Sequence, residues 1–383
     1  MASVDISGQS RARGRDEPAA PHLDALRILA SAGIVILHYA DYVQDIPFGR
    51  FIFLHVRHFN LFVDLFFVIS GFVIASQYLG RVSDRGAVGR FLWRRLARIY
   101  PLHLVTLGFY VAVALLFTFG HAHVDNPSRY PLSDIPAQVL LLHAIDGQRL
   151  TFNFPSWSLS AEMVCYLLFP LMAFVGLRRP RLIVVAAVAA AAVLTLYCVA
   201  TRVEPWPDWI NQGGAWRALP AFLLGVALHL FRDRVARMPI GVVLLPAFVL
   251  FIVGGGVMPI YAAVALVYVV AIAAVQCDLS GAITVLSRSG VGRWAHLTYS
   301  IYMLHMPVAT MVITVGGRWL GANTPAGRFA LVAGAMVALV FVSAASYRLF
   351  ENPVRRRLND LFDRWRPREA ALAVLATPER GTP

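Results

Sequence analysis

The sequence predicts an all-α polytopic membrane protein with about ten transmembrane helices and both termini cytoplasmic. Three observations predict it. Of the 383 residues, 58% are hydrophobic and only 14% charged, against roughly a quarter charged in soluble domains. Mean hydropathy is +0.64, and apolar runs of membrane-spanning length recur along the whole chain. The basic residues are 34 arginines and no lysine, and their density alternates from one connecting segment to the next.

The apolar runs fall at 24–42, 60–79, 99–119, 157–176, 182–200, 217–231, 239–256, 258–276, 296–316 and 327–349. Each is near the roughly twenty residues that a bilayer requires. The sixth is short, and the seventh and eighth are joined only by residues around Gly256 and Pro259. The segment DIPAQVLLLHAID at 134–146 is too short to span and reads as a re-entrant or interfacial helix. The segment at 278–293 reads as an interfacial connector. Residues 1–21 are expected to be a flexible cytoplasmic N-terminus; they are polar and contain no signal-peptide hydrophobic core, so the first apolar run stays in the protein. Residues 358–383 are expected to be a disordered cytoplasmic tail. The transmembrane domain is then 22–357. No internal repeat is visible, which counts against transporter folds built from repeats.

Counting arginines sets the orientation. With the N-terminus inside, 25 of the 34 fall on the inner side, in clusters at 11–15, 81–98, 178–181, 232–237, 288–293 and from 348 onward. Eight fall outside: Arg50, Arg57, Arg129, Arg149, Arg202, Arg217, Arg318 and Arg328. Arg27 lies within the first run. This asymmetry is the positive-inside pattern, and it places the protein in the cell (inner or plasma) membrane. A net charge of +13 raises the question of nucleic acid. The arginines instead cap apolar runs, where they face anionic lipid headgroups, and no basic globular domain remains, so no nucleic-acid partner is expected. Cys165, Cys198 and Cys277 form neither a CxxC nor a metal-ligand spacing, and they read as small packing residues.

Ionisable groups at membrane depth are costly and so become functional candidates. In LDALRILASAGIVILHYA, Arg27 and His38 are eleven residues apart. At 100° per residue they lie about 20° from three whole turns, on one face, and roughly 16 Å apart along the axis. A fixed cation at the inner end and a proton-exchanging imidazole at the outer end suit the wall of a tunnel. The alternative is two interfacial residues, Arg27 snorkelling and His38 capping. Asp64, near the outer end of FNLFVDLFFVISGFVIAS, is a second candidate that could pair with Arg57 or His58, while Ser70-Gly71 suits close helix packing.

In GRFLWRRLARIYPLHL, Arg95 and Arg98 share a helix face and can grip phosphates bidentately, or can serve topology alone. In NFPSWSLSAEMVCYLLFP, Ser156 or Ser158 can cap a helix with Glu162 in its first turns. Glu162 then completes a capping box, or else it lies at the depth of His38 and orients the imidazole. In LTYSIYMLHMPV, Tyr299, Tyr302 and His305 recur every three residues on a broad common face; Tyr302 and His305 are candidate tunnel-lining or acceptor-side residues, helix–helix hydrogen bonding being the alternative. Glu351 in YRLFENPVRRR reads as pairing with adjacent arginines.

Together these segments resemble the acyltransferase-3 family of integral membrane acyltransferases. The resemblance rests on Arg27-x10-His38, FFVISGF at 66–72, RRLARIYP at 94–101, PSWSLSAE at 155–162, SIYMLH at 300–305 and ENPVRR at 351–356, in that order. Any one motif is weak; the ordered set, covering about 22–357, is specific. The resemblance implies a ten-helix enzyme that moves an acyl group, usually acetyl, from cytoplasmic acyl-CoA to a hydroxyl, most often on a surface or secreted carbohydrate. It implies an essential Arg–His motif at Arg27 and His38, phosphate-side arginines at Arg95 and Arg98, and the motif glutamate at Glu162. The family motif continues with a second acidic residue and an aromatic, and this chain departs from it with Met163. Some members carry an additional periplasmic hydrolase-like domain, for which this chain has no room after 357, so any second transfer step is expected to need another protein.

The physical reading runs parallel. The polyanionic end of acyl-CoA is expected at the inner mouth near Arg95, Arg98 and Arg27, with its arm extending towards His38, the general base on an acceptor hydroxyl. No metal is expected. The competing readings are an exporter of a glycan or lipid intermediate and a non-catalytic scaffold among envelope-polymer biosynthesis proteins.

Overall fold

Within a bilayer every backbone N–H and C=O has to find its partner inside the chain, so apolar runs fold as helices. The computed structural model describes residues 20–375 apart from 83, 122, 125, 148 and 149, and none of the described residues forms a β-strand. Helix α1 runs Pro21–Ala40, α2 Pro47–Val56, α3 Phe62–Tyr78 and α4 Arg85–Thr118. Two short helices follow, α5 (Ile135–Val139) and α6 (His143–Asp146), then α7 (Trp157–Arg178), α8 (Pro180–Thr201), α9 (Gly214–Leu230) and the single turn α10 (Arg232–Val235). The chain continues through α11 (Leu244–Gly254), α12 (Ile260–Ser280), α13 (Val285–Arg288), α14 (Thr298–Ala309), α15 (Gly316–Leu320), α16 (Pro325–Ser346) and α17 (Asn352–Leu375).

Among the described residues, eight helical stretches are long and apolar enough to cross a membrane. Two shorter apolar helices, Gly214–Leu230 and Pro239–Gly254, stand where the sixth and seventh spans are expected. The third span begins far earlier than expected: α4 starts at Arg85, so Arg94, Arg95 and Arg98 belong to the spanning helix itself. At the other end, the tail expected from 358 is helical as far as Leu375. Its first turns are docked on α4. Trp93 of α4 stacks on Phe362 with ring centroids 5.1 Å apart and donates to the Leu358 carbonyl at 3.1 Å, docking α17 along α4. The expectations for 1–19 and 376–383 lie outside the described residues.

Helix α1 occupies the centre, packed on α3, α12, α14 and the 3-10 turn Val291–Leu297. Its N-terminus is tied down by Asp278 at the end of α12, in the segment expected to be a connector. The carboxylate accepts from the backbone N–H groups of His22 and Leu23, both at 3.0 Å, and from His22 Nδ1 at 2.7 Å. These are orphan donors of a first helical turn, where a carboxylate also suits the helix dipole.

Helices α3 and α9 pack backbone to backbone. A Cβ added at Gly71 would overlap the Phe222 carbonyl, and one at Gly225 would overlap the Val68 carbonyl, so the two backbones touch through glycines. This is the close packing that Ser70-Gly71 predicts, with the partner glycine now named.

The segment at 134–146, expected to be a re-entrant or interfacial helix, folds as α5 and α6, joined at Leu141 with φ 54°. A left-handed leucine is strained, and Ser160 of α7 holds the turn: its Oγ donates to the Leu141 carbonyl at 2.6 Å and accepts from Ala144 N at 3.0 Å. From α4, Tyr100 Oη donates to the Val139 carbonyl and His103 Nε2 to the Gln138 carbonyl, both at 2.9 Å. Burial pushes His143 on α6 down to about 4, with the neighbouring His103 adding to the effect.

Candidate active site

At the C-terminal end of α1, His38 lines a cavity of about 250 Å³ together with Asn60, Trp157, Asp208, Arg217 and Tyr302. A shallower pocket of about 490 Å³, lined by Asp41, Asn126, Ser128 and Arg129, adjoins it through the shared residue Leu150. His38 is backed by α14: its Nδ1 lies 2.8 Å from Nε2 of His305 with the rings 6° from parallel. His305 is fully buried. Its Nδ1 lies 2.6 Å from the Tyr302 carbonyl, and Tyr39 Oη donates to the His305 carbonyl at 2.8 Å. The edge of Phe154 meets the His38 ring, centroids 5.0 Å apart, and the Arg129 guanidinium lies 4.8 Å from the centre of the Phe154 ring.

Pro307, two residues past His305, has no N–H to give to the Met303 carbonyl. Asn153 Nδ2 donates to that carbonyl instead, at 3.1 Å. Thus the loop before α7 is stitched to α14 at the very turn that presents His305. Tyr302 completes the seam: Ser158 Oγ donates to its hydroxyl at 2.8 Å, and the hydroxyl donates to the Pro155 carbonyl at 3.0 Å. Neither Ser156 nor Ser158 forms the expected capping box. Ser156 sits at the start of α7 without a side-chain cap and bonds to Gln138 and His143 instead.

Asp64 pairs with neither Arg57 nor His58. Its carboxylate accepts from Arg217 Nη2 at 2.6 Å, and both side chains are at most 1% exposed. Arg217 also donates to the Trp209 and Asn60 carbonyls, at 3.0 and 3.2 Å, and lies 5.2 Å from the centre of the Trp157 ring. Counted from sequence as an outer topology arginine, it is a buried wall of the cavity, and Asp64 supports the cavity through it. On the same wall Asn60 Nδ2 donates to Asp208 at 3.2 Å. Arg217 was findable: it lies within an apolar run, where an arginine is costly unless paired. Asn60, Asp208 and Arg129 come to the cavities on short 3-10 turns far apart in sequence, with no motif to flag them.

Glu162 is not the partner of His38. Its Oε1 accepts from Ser70 Oγ and from Tyr166 Oη, each at 2.5 Å, and Arg95 feels its charge. One helix turn carries Glu162 away from Ser158, which faces Tyr302, and towards α3 and α4. Arg95 donates to Gln77 Oε1 and Tyr78 Oη, both at 3.0 Å, and its buried Nε has no hydrogen-bond partner among the described residues. Arg98 is exposed, next to Ile99, whose carbonyl accepts from Tyr299 Oη. Glu351 accepts from Ser300 at 2.6 Å and Ser346 at 2.8 Å, with Arg98 and Arg355 close enough to attract its carboxylate. Arg27 is held by Asp24 at 3.1 Å. The expected residues therefore divide into three groups: His38, Tyr302 and His305, with Asp64 behind them; Glu162 with Arg95; and Arg98 at the start of α14, with Arg27 near the start of α1.

Chemically, the first group sets an imidazole on the wall of a largely apolar cavity with a few polar groups, and the other two set guanidinium groups towards the opposite ends of α1 and α14. The family described as an acyltransferase domain matches residues 21–348. The chain is 31% identical over 376 residues to acyltransferase MdmB of Streptomyces mycarofaciens, covering 88% of this chain and 92% of that one. It is 28% identical over 306 residues to the exopolysaccharide production protein ExoZ of Rhizobium meliloti, covering 77% and 89%. No solved structure matches it. An ordered motif set, a helical bundle of membrane-spanning length and a family match over most of the sequence agree: the chain belongs to the acyltransferase-3 family and is a membrane acyltransferase.

Proposed function

We propose that the enzyme transfers an acyl group, acetyl foremost, from cytoplasmic acyl-CoA to a hydroxyl of a carbohydrate acceptor at the outer face of the cell membrane. The observation that carries this reading is His38 on the wall of a largely apolar cavity that also holds Asn60, Asp208, Arg217 and Tyr302, on the same helix that bears Arg27 near its other end. Acyl-CoA is bulky and polyanionic, and guanidinium groups match its phosphates. Arg98 and Arg27 receive the nucleotide end, and Arg95, fixed by Gln77, Tyr78 and the charge of Glu162, guides the arm onward. The acceptor enters from the other side. The Asn60 amide, the Asp208 carboxylate and the Trp157 indole suit the hydroxyls and apolar faces of a sugar. A relative named for exopolysaccharide production supports a saccharide acceptor.

In the reaction the acceptor O–H gives its proton to His38 while its oxygen bonds to the thioester carbon. The carbon–sulfur bond then breaks, and the CoA thiolate leaves and takes the proton from the imidazolium. The test is to incubate membranes containing the protein with labelled acetyl-CoA and to fractionate the envelope. Label in a saccharide fraction, lost in His38→Ala, is the expected result. Flux of a glycan through liposomes without any acyl transfer would replace this reading with an exporter.

A further inference from the structure

The imidazole at the cavity wall, His38, and the buried one behind it, His305, are asymmetric in what they can exchange. A backbone carbonyl only accepts, so the 2.6 Å contact of His305 Nδ1 with the Tyr302 carbonyl requires the proton on Nδ1. Neither ring is hydrogen-bonded to a carboxylate among the described residues, and a buried imidazolium without such a partner is costly, so His305 is neutral and its Nε2 is a lone pair. That lone pair lies 2.8 Å from His38 Nδ1. Were Nδ1 of His38 also unprotonated, two lone pairs would face each other at hydrogen-bond distance. The proton of His38 therefore sits on Nδ1, and its Nε2 is the lone pair left for a substrate. The orientation is over-determined: Tyr39, next to His38 on α1, donates to the His305 carbonyl, and Asn153 holds the Met303 carbonyl that Pro307 leaves without a donor.

We infer that His305 is a positioning residue that fixes the tautomer of His38, so that Nε2 of His38 is the basic atom presented to the acceptor hydroxyl. It does with a neutral imidazole what a buried carboxylate does for histidine in hydrolase triads: it selects the tautomer and accepts a stronger hydrogen bond once His38 becomes an imidazolium. The tautomer itself is independent of what the enzyme transfers, whereas its catalytic use rests on the acyltransferase mechanism above.

The test uses full-length protein, labelled with nitrogen-15 at histidine and held in detergent micelles or nanodiscs. Nitrogen-15 shifts separate protonated from unprotonated ring nitrogens, and the signals of His38 are those lost in His38→Gln. In the wild type, His38 should be protonated at Nδ1 and bare at Nε2. His305→Leu, which removes the acceptor, should move the proton towards Nε2. His305→Gln, whose amide oxygen can accept from His38 Nδ1, should restore the wild-type pattern. With acetyl-CoA as donor, the turnover number of His305→Leu should fall about 100-fold or more with KM for acetyl-CoA unchanged, and His305→Gln should recover to within about tenfold of wild type. A wild-type His38 protonated at Nε2 overturns the inference whatever the activity, and so does a His305→Leu protein that keeps the wild-type tautomer or turnover. If His305→Leu does not fold, the wild-type tautomer alone decides. If the tautomer pattern holds while acetyl-CoA is never consumed, the positioning role stands and the acyl-transfer reading fails.

Discussion

Arg217 and Asp64 form an ion pair at 2.6 Å in which neither side chain is more than 1% exposed. The pair joins α9 to α3 beside the glycine contact and puts a guanidinium behind the cavity that holds His38. Breaking such a pair from one side strands a buried charge, whereas removing both partners leaves no such charge.

Arg217→Met or Asp64→Asn alone should therefore destabilise the protein by about 3–5 kcal/mol, and the double variant Asp64→Leu/Arg217→Met by clearly less than the sum. Thermal unfolding of the detergent-purified proteins checks this. Additive single effects would show that the pair is not coupled.

His38→Ala should lower acyl transfer by about 100- to 10,000-fold, the range for losing a general base, while leaving insertion and thermal unfolding close to wild type. Arg98→Ala should instead raise KM for acyl-CoA about tenfold and leave the turnover number largely alone, because it removes uniform binding of the donor. Steady-state release of CoA thiol separates the two. Unchanged donor kinetics in Arg98→Ala would detach that arginine from the donor path.

Gly225→Ala and Gly71→Ala should each cost about 1–3 kcal/mol, since the added methyl must displace a backbone carbonyl of the facing helix. Gly334→Ala on α16 is the matched control: nothing lies within 4 Å of its new Cβ, and alanine is the better helix former by about 1 kcal/mol. Melting temperatures should rank accordingly.

His143 predicts an acid-sensitive corner. Its pKa in the folded protein is about 4, below the ordinary 6.5, so the folded state keeps it neutral while an opened segment binds the proton. The stability that it confers is complete above about pH 6.5 and is lost as the pH falls towards 4. Hydrogen exchange across 135–146 should accelerate through that window in the wild type and lose most of the dependence in His143→Gln. An exchange rate flat with pH would assign the opening to another group.

Much of the site was legible because its chemistry is expensive where it stands. Histidine and arginine within apolar runs identify themselves, and so His38, His305 and Arg27 were visible as residues, while Arg95, ahead of the run expected at 99–119, was visible only through its arginine cluster and motif. Their partners were not. Glu162 was expected beside His38 because both were read at the same depth, His38 late in α1 and Glu162 early in α7, yet Glu162 meets Ser70, Tyr166 and Arg95 instead. Arg217 was counted as a topology signal because a sequence does not show that Asp64 waits for it 153 positions away. Asn60, Asp208 and Arg129 lie on short 3-10 turns between the long helices, where periodicity carries little information.

By itself, the sequence determined that the chain is a helical membrane protein and that it carries the ordered motifs of a membrane acyltransferase. Hydropathy, arginine spacing and motif order are local properties, and each run must satisfy its own backbone within the bilayer. Only the tertiary structure decided which ionisable groups meet. That depends on the rotation and depth of each helix, set by contacts such as Gly71 with α9, Asn153 with Met303 and Asp278 with the start of α1. A rotation of 100° per residue moves a side chain from one neighbour to another. His38 therefore came to face His305 rather than Glu162.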